Sequence, residues 1–163
     1  MLLSDIIKGL RVEEIIGNVH CDIADVHIDS RRIGAGHLFV AMRGTQVDGH
    51  KYIQGAIDKG AVAVVCEQLP ESLIEGITYV RVSNSEEAVG PIATAFNDFP
   101  TEKVRLVGVT GTNGKTTIAT LLYDLVQSMG YKAGLISTVV YKVGDKEILS
   151  THTTPDAIRL NAM

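Results

Sequence analysis

The chain has 163 residues, 45% of them hydrophobic and 21% charged, with a net charge of -4. That composition belongs to a globular protein, and the length suits one ordinary domain or two small ones. It excludes nucleic acid as the main partner, because there is no basic block, and no apolar run is long enough to span a bilayer.

The opening MLLSDIIKGLRVEEI carries acids within its apolar pattern and is not laid out as a cleavable signal. Leu2 to Leu10 predicts a short amphipathic helix with Leu3, Ile6, Ile7 and Leu10 on one face. Glu14 to Val19 reads as a short strand. Cys21 and Cys66 are the two cysteines. Their unrelated contexts imply no disulfide framework, so both read as small core residues in a reducing cytoplasm. Ala24 to Ile28 alternates, with Val26 and Ile28 on one side and His27 on the other. His20 and His27 have no partner at metal-ligand spacing, and neither receives a role.

Asp29-Ser30-Arg31-Arg32 is a polar break and Gly34-Ala35-Gly36 a turn. His37 to Met42 is a buried strand, and Arg43 to Gly49 a loop with two glycines. His50 to Lys59 predicts a helix with Tyr52, Ile53, Ala56 and Ile57 inward, stopped by Gly60. Ala61 to Cys66 and Ile77 to Val82 are strands. Ser85 is the expected N-cap of a helix reaching Phe96, with Glu86 and Glu87 in its first turn. Asn97 to Thr101 reads as a hinge, since proline stops the helix among polar residues. A domain boundary is therefore placed at residue 101.

Val104 to Met129, VRLVGVTGTNGKTTIATLLYDLVQSM, has the plan of a phosphate-binding loop. Val104 to Thr110 is an apolar run suited to a buried strand. Gly111 to Gly114 is a loop. Lys115 opens a helix in which Ile118, Leu121, Leu122, Leu125, Val126 and Met129 recur at helical spacing, and Gly130 stops it. Glycines let backbone N–H groups converge on phosphate oxygens, and the helix start adds unsatisfied N–H groups and a positive dipole end. Gly111, Thr112, Asn113, Gly114, Lys115, Thr116 and Thr117 are the expected ATP-phosphate residues. Lys115 is the catalytic cation for the β- and γ-phosphates, and the Thr116 hydroxyl is a Mg²⁺ ligand. The general motif is matched only in its Gly-Lys-Thr half, because Val109 stands where a glycine is usual. A strand-to-helix turn that merely needs glycines is the competing reading.

Lys132 to Thr138 reads as a second apolar strand of this domain. VVYKVGDKEILS, Val139 to Ser150, reads as a hairpin turning at Gly144-Asp145. His152 to Asp156 is a loop, and Ala157 to Met163 begins a helix. The fold class is α/β: a small mixed α/β domain over residues 1–101, then the start of a P-loop parallel-sheet ATPase domain over 102–163. A domain of the second kind needs several parallel strands covered on both faces. The chain is therefore expected to be the N-terminal part of a longer enzyme, inactive alone, with exposed strand edges in its tail.

Gly-Thr-Asn-Gly-Lys-Thr-Thr resembles the ATP loop of the Mur ligases, which build the peptidoglycan precursor. The resemblance covers nearly the whole chain. Ile28-Asp29-Ser30-Arg31 followed by Gly36-His37-Leu38-Phe39-Val40-Ala41 is similar to the family segment that holds the uridine end of the substrate. Gly44 to His50, with its Asp-Gly-His ending, is similar to the next uridine-diphosphate loop. Thr153-Thr154-Pro155 is similar to the segment that contacts the muramoyl-peptide part, and it tilts the likeness toward the MurE, or tripeptide-synthetase, branch.

The resemblance implies that Ile28, Ser30, Thr45, Gln46, Val47, His152, Thr153 and Thr154 bind the UDP-sugar peptide. Each has a plainer alternative. Ser30 also suits a hydrogen bond within its own turn, and Ile28 suits core. The 45–47 segment suits a glycine-flanked surface loop, and Thr45 and Val47 depart from the family's usual residues. Thr153 and Thr154 suit a simple turn before a helix, and His152 a solvated histidine. Arg31 and Arg32 fit either phosphate pairing or a solvated surface pair.

The implied reaction is ATP-dependent amide formation. Phosphorylation of the peptide's carboxylate gives an acyl phosphate, which the amine of an incoming amino acid attacks. The implied substrate is UDP-N-acetylmuramoyl-L-alanyl-D-glutamate. ATP and Mg²⁺ are the expected cofactors, the cytoplasm the expected compartment, and a monomer the default state. The amino acid added is left open. Folylpolyglutamate synthetase, a sister family, is disfavoured by Thr116-Thr117, and a non-catalytic nucleotide-sugar-binding module is the third reading.

Overall fold

The computed structural model describes residues 1–44, 47–144, 146–149 and 155–163. The chain divides into two compact units, Met1–Pro100 with Ala162, and Thr101–Asn161 with Met163.

The first unit is built on a five-stranded sheet. Its strands are β1 (Val12–Ile16), β2 (Val26–His27), β3 (His37–Val40), β4 (Ala61–Cys66) and β5 (Thr78–Val82), in the order β1-β5-β4-β3-β2. β2, β3, β4 and β5 are mutually parallel, and β1 joins β5 antiparallel at the edge. Val64, Val65, Leu38, Val40 and Val80 are fully buried. Their near-continuous apolar runs match a sheet covered on both faces. Helices α1 (Leu3–Ile7), α2 (Ile53–Asp58) and α3 (Ser85–Phe96) supply the cover. Leu3 and Ile6 from α1 and Ile92 from α3 are buried to 1% exposure or less.

Most elements stand where expected, with shifted ends. The first helix is shorter, and β1 lies at Val12–Ile16 rather than Glu14 to Val19. A 3-10 turn over Gly49–Tyr52 precedes α2. The N-cap of α3 is Asn84, not Ser85: its side chain accepts from Glu87 N–H and donates to the Glu87 carboxylate. Ser85 is instead buried, and both its N–H and its hydroxyl donate to Glu67 Oε1. Past α3, Asp98 and Phe99 are two consecutive non-glycine residues in left-handed conformation, and Phe99 N–H closes back on Thr94 O.

The second unit contains α4 (Lys115–Ser128), a three-stranded sheet of β6 (Gly134–Ile136), β7 (Val140–Val143) and β8 (Lys146–Leu149), and α5 (Ala157–Asn161). The hairpin expected after Val139 is present as β7 and β8, with Gly144 at φ +56° in the turn; Asp145 and Ser150 lie outside the described residues. Ser137 fixes the turn before β7, its hydroxyl accepting from Val139 and Val140 N–H.

Two expectations for this unit are overturned. Val104 to Thr110 forms no strand, and Leu106 is 86% exposed. β6 pairs antiparallel with β7 and is not part of a parallel sheet. The cause is pairing: a strand exists only where a neighbour accepts its backbone groups. Among the described residues, no ladder reaches the 104–110 run. The apolar face of α4 is likewise uncovered, with Leu121 62% and Leu125 55% exposed.

Candidate functional site

In the first unit the described residues of the expected nucleotide-sugar set, Ile28, Ser30 and Val47, follow the C-terminal ends of parallel strands, where open α/β sheets bind ligands. Ile28 and Ser30 follow β2, and both are half-buried. The turn around Ser30 is made by Asp29, whose carboxylate accepts from Arg31 N–H at 2.9 Å and grips the Arg31 guanidinium at 2.8 to 3.1 Å. The Ser30 hydroxyl therefore has no part in the turn, while the Ser30 carbonyl accepts from Lys59 Nζ at 2.9 Å. The guanidinium fork and backbone N–H of Arg31 hold the Asp29 carboxyl down at about 2. Arg31 is thus already paired and offers less to a phosphate than an unengaged arginine.

After β3 the chain forms a small hairpin. Arg43 and Asp48 make a bridge, Gly44 N–H donates to Val47 O at 3.1 Å, and Gly49 N–H returns to Met42 O at 2.8 Å. Val47 is exposed. Thr45 and Gln46 lie outside the described residues, as do His152, Thr153 and Thr154.

His27 has neighbours that linear spacing concealed. Its Nε2 is 3.2 Å from Asp25 Oδ2, and its ring centroid is 5.1 Å from that of His37. Ligand atoms of Asp25, His27 and His37 all fall within 4.8 Å of one another. His37 Nδ1, however, accepts from Gly34 N–H at 3.0 Å. A neutral ring in that tautomer carries its proton on Nε2, so neither nitrogen has a free lone pair for a metal. Burial lowers the His27 pKa, and Asp25 only partly offsets it.

In the second unit the 111–117 segment turns at Gly111, φ +149°, and Gly114, φ +79°. Gly114 is the left-handed N-cap of α4, which puts Lys115 at the first helical position. The helical ladder starts with Ile118 N–H to Gly114 O, so helix geometry leaves the N–H groups of Lys115, Thr116 and Thr117 outside it. Lys115 Nζ donates to Gly111 O at 2.6 Å and Thr112 O at 3.3 Å. An ammonium has three donors, and two loop carbonyls leave one for an anion at the loop mouth. Among the described residues, no atom beyond its chain neighbours lies within 4 Å of where a Gly114 Cβ would be. These features fit a phosphate chain. The Thr116 hydroxyl is a hard oxygen suited to Mg²⁺ as one ligand among several. It sits 3.4 Å from the Thr138 hydroxyl, just beyond β6, a neighbour the sequence reading missed.

Two family descriptions match the chain: "Mur ligase family, catalytic domain" over residues 22–97, and "Mur ligase middle domain" over 109–163. Among curated relatives, the UDP-N-acetylmuramoyl-L-alanyl-D-glutamate--2,6-diaminopimelate ligases of Phocaeicola vulgatus and Bacteroides thetaiotaomicron are 57% and 55% identical over all 163 residues. The chain spans about a third, 34%, of the length of each. A solved structure of a ligase of the same name superposes with a TM-score of 0.72 at 22% identity, covering 99% of this chain and 32% of that one, a likeness of fold. A MurF ligase from Thermotoga maritima in complex with ADP matches at 26% identity and a TM-score of 0.50, over 66% of this chain and 24% of that one.

Proposed function

We propose that this chain, which belongs to the Mur ligase family, carries the nucleotide-sugar-binding unit and the phosphate loop of an ATP-dependent amide ligase. The product of that ligase is a peptidoglycan precursor. Its substrates are UDP-N-acetylmuramoyl-L-alanyl-D-glutamate, ATP and diaminopimelate, the amino acid in the names of the Phocaeicola and Bacteroides relatives. The compartment is the cytoplasm, and the pathway serves cell-wall growth and division.

The observation that carries the reading is the mouth of α4. Left-handed Gly114, ladder-free N–H groups and the Lys115 ammonium meet at one helix start, the arrangement a polyphosphate needs. A carboxylate is a poor electrophile at neutral pH, and bound ATP supplies the phosphoryl group that activates it. Gly111 to Thr117 bind and orient that phosphate chain. Lys115 neutralises charge that develops on the transferred group, and the Thr116 hydroxyl would supply one ligand to a Mg²⁺ that accompanies the phosphates. Ile28, Ser30, the 45–47 segment, His152, Thr153 and Thr154 place the nucleotide-sugar peptide. Such placement can supply much of the rate, since aligned reactants have already lost their translational freedom.

The test is ADP release by the full-length protein with ATP, Mg²⁺, UDP-N-acetylmuramoyl-L-alanyl-D-glutamate and diaminopimelate, omitting each in turn. Release that needs all of them is expected. Release indifferent to the nucleotide-sugar, or replaced by activity on a folate, overturns the reading.

A further inference from the structure

Beyond the residues with assigned roles, Asp48, His50 and Glu67 form a hydrogen-bonded chain across the C-terminal ends of β3 and β4. Asp48 Oδ1 accepts from His50 backbone N–H at 3.0 Å and lies 2.7 Å from His50 Nδ1. On the other side of the ring, Nε2 lies 2.9 Å from Glu67 N and 3.3 Å from Gln68 N. Backbone N–H groups only donate, so Nε2 must be the acceptor. The ring proton is then on Nδ1, where the Asp48 carboxylate takes it. One oxygen thus fixes both the tautomer and the orientation of a ring whose side chain is only 11% exposed.

This ring ties two structures together. Asp48 is one leg of the hairpin, bridged to Arg43, and the Gly44–Val47 bond closes the other end. Glu67 and Gln68 are the first residues past β4. The second tie, Arg43 to Glu67, is a half-exposed pair at 3.9 Å, the kind that contributes little. Glu67 is held independently, because its Oε1 accepts from both donors of buried Ser85 at the start of α3. His50 therefore hangs the hairpin from a rigid frame of strand and helix ends.

We propose that His50 is a positioning residue for the nucleotide-sugar diphosphate, setting the height of the Arg43–Asp48 hairpin above β4 through the Glu67 and Gln68 N–H groups. The role rests on the reading that this hairpin meets the diphosphate.

The decisive comparison uses two part-isosteres in the full-length enzyme. A glutamine carbonyl can replace the Nε2 acceptor, whereas an asparagine amide can replace only the Nδ1 donor. His50→Ala and His50→Asn are expected to raise KM for the UDP-muramoyl dipeptide about tenfold or more, the scale at which small misplacements act. KM for ATP and kcat should stay within about twofold. His50→Gln should recover most of the loss. Equal KM values in wild type and all three variants overturn the proposal. So does a parallel rise in every KM accompanied by a fall in Tm, which would mark general damage to the fold. Calorimetry of the wild type with UDP-muramoyl dipeptide is the separate control: no binding there sinks the nucleotide-sugar reading itself, while binding that the His50 variants share unchanged sinks only the role of His50.

Discussion

The Asp29 carboxylate clasps Arg31 on three sides, taking its backbone N–H on Oδ1 and its guanidinium on both oxygens, with Ser30 held between them. This pairing makes a pH prediction. The Asp29 carboxyl sits at about 2 against an ordinary 3.8, so the folded state favours its charged form. Its contribution to stability is complete above the ordinary value and is lost as pH falls through about 2. Carboxyl chemical shifts followed by NMR should give a midpoint near 2 in the wild type, and one raised toward the ordinary value in an Arg31→Ala variant, which loses the guanidinium but keeps the backbone N–H of residue 31. A wild-type midpoint near 4 would mean the clasp does not form in solution.

Gly49 is a glycine for space. A Cβ there would lie 2.6 Å from Met42 O and 2.9 Å from Met42 N, both backbone atoms that cannot swing away. The same approach makes the Gly49 N–H to Met42 O bond at 2.8 Å. Gly49→Ala should destabilise the first unit by about 1–3 kcal/mol, the usual cost of forcing extra volume into a packed site. Urea unfolding measures it, and an unchanged midpoint would show that the hairpin base is looser than described.

What the sequence disclosed follows the range of each interaction. Ala61–Cys66 is legible because burial on both faces writes itself as six consecutive apolar or small residues. The helix over Ser85–Phe96 was readable from its acidic first turn, but not its cap. Asn84 and Ser85 are equally good caps locally, and the choice is made by Glu67, 18 residues away, which captures Ser85. His50 is similar: Asp48 is near it in sequence, yet its other partners begin 17 residues on. His27 has Asp25 two residues away, but it gained His37 only when β2 and β3 paired. Val104 to Thr110 erred the other way. Its composition suits a buried strand, but a strand depends on a neighbour that no local pattern reveals. The glycine turn before α4 was legible because its glycines and lysine act within one turn of chain.

Tyr79 offers a test of the first unit's core. Its ring is buried to 1% exposure, and its hydroxyl accepts the N–H of Ile74 at 3.2 Å. Tyr79→Phe keeps the ring and strands that N–H, so a loss of about 1 kcal/mol in unfolding free energy is expected. A phenylalanine variant as stable as the wild type would show that water replaces the hydroxyl without cost.

Lys115 separates binding from chemistry. Its ammonium rests on the carbonyls of Gly111 and Thr112 at the start of α4, while Ser30 and the 43–48 hairpin belong to the other compact unit. Lys115→Ala in the full-length enzyme should therefore lower kcat by about 10²–10³, the scale for removing one preorganised charge-stabilising donor. Calorimetric affinity for the UDP-muramoyl dipeptide should change less than about twofold, because the described residues assigned to the nucleotide-sugar, Ile28, Ser30 and Val47, belong to the other compact unit. Lys115→Arg should not restore turnover: a planar guanidinium cannot reproduce a compact ammonium seated on two converging carbonyls. Turnover near wild type in the alanine variant would remove Lys115 from the reaction, and a matched loss of nucleotide-sugar affinity would mean that the lysine acts on both substrates.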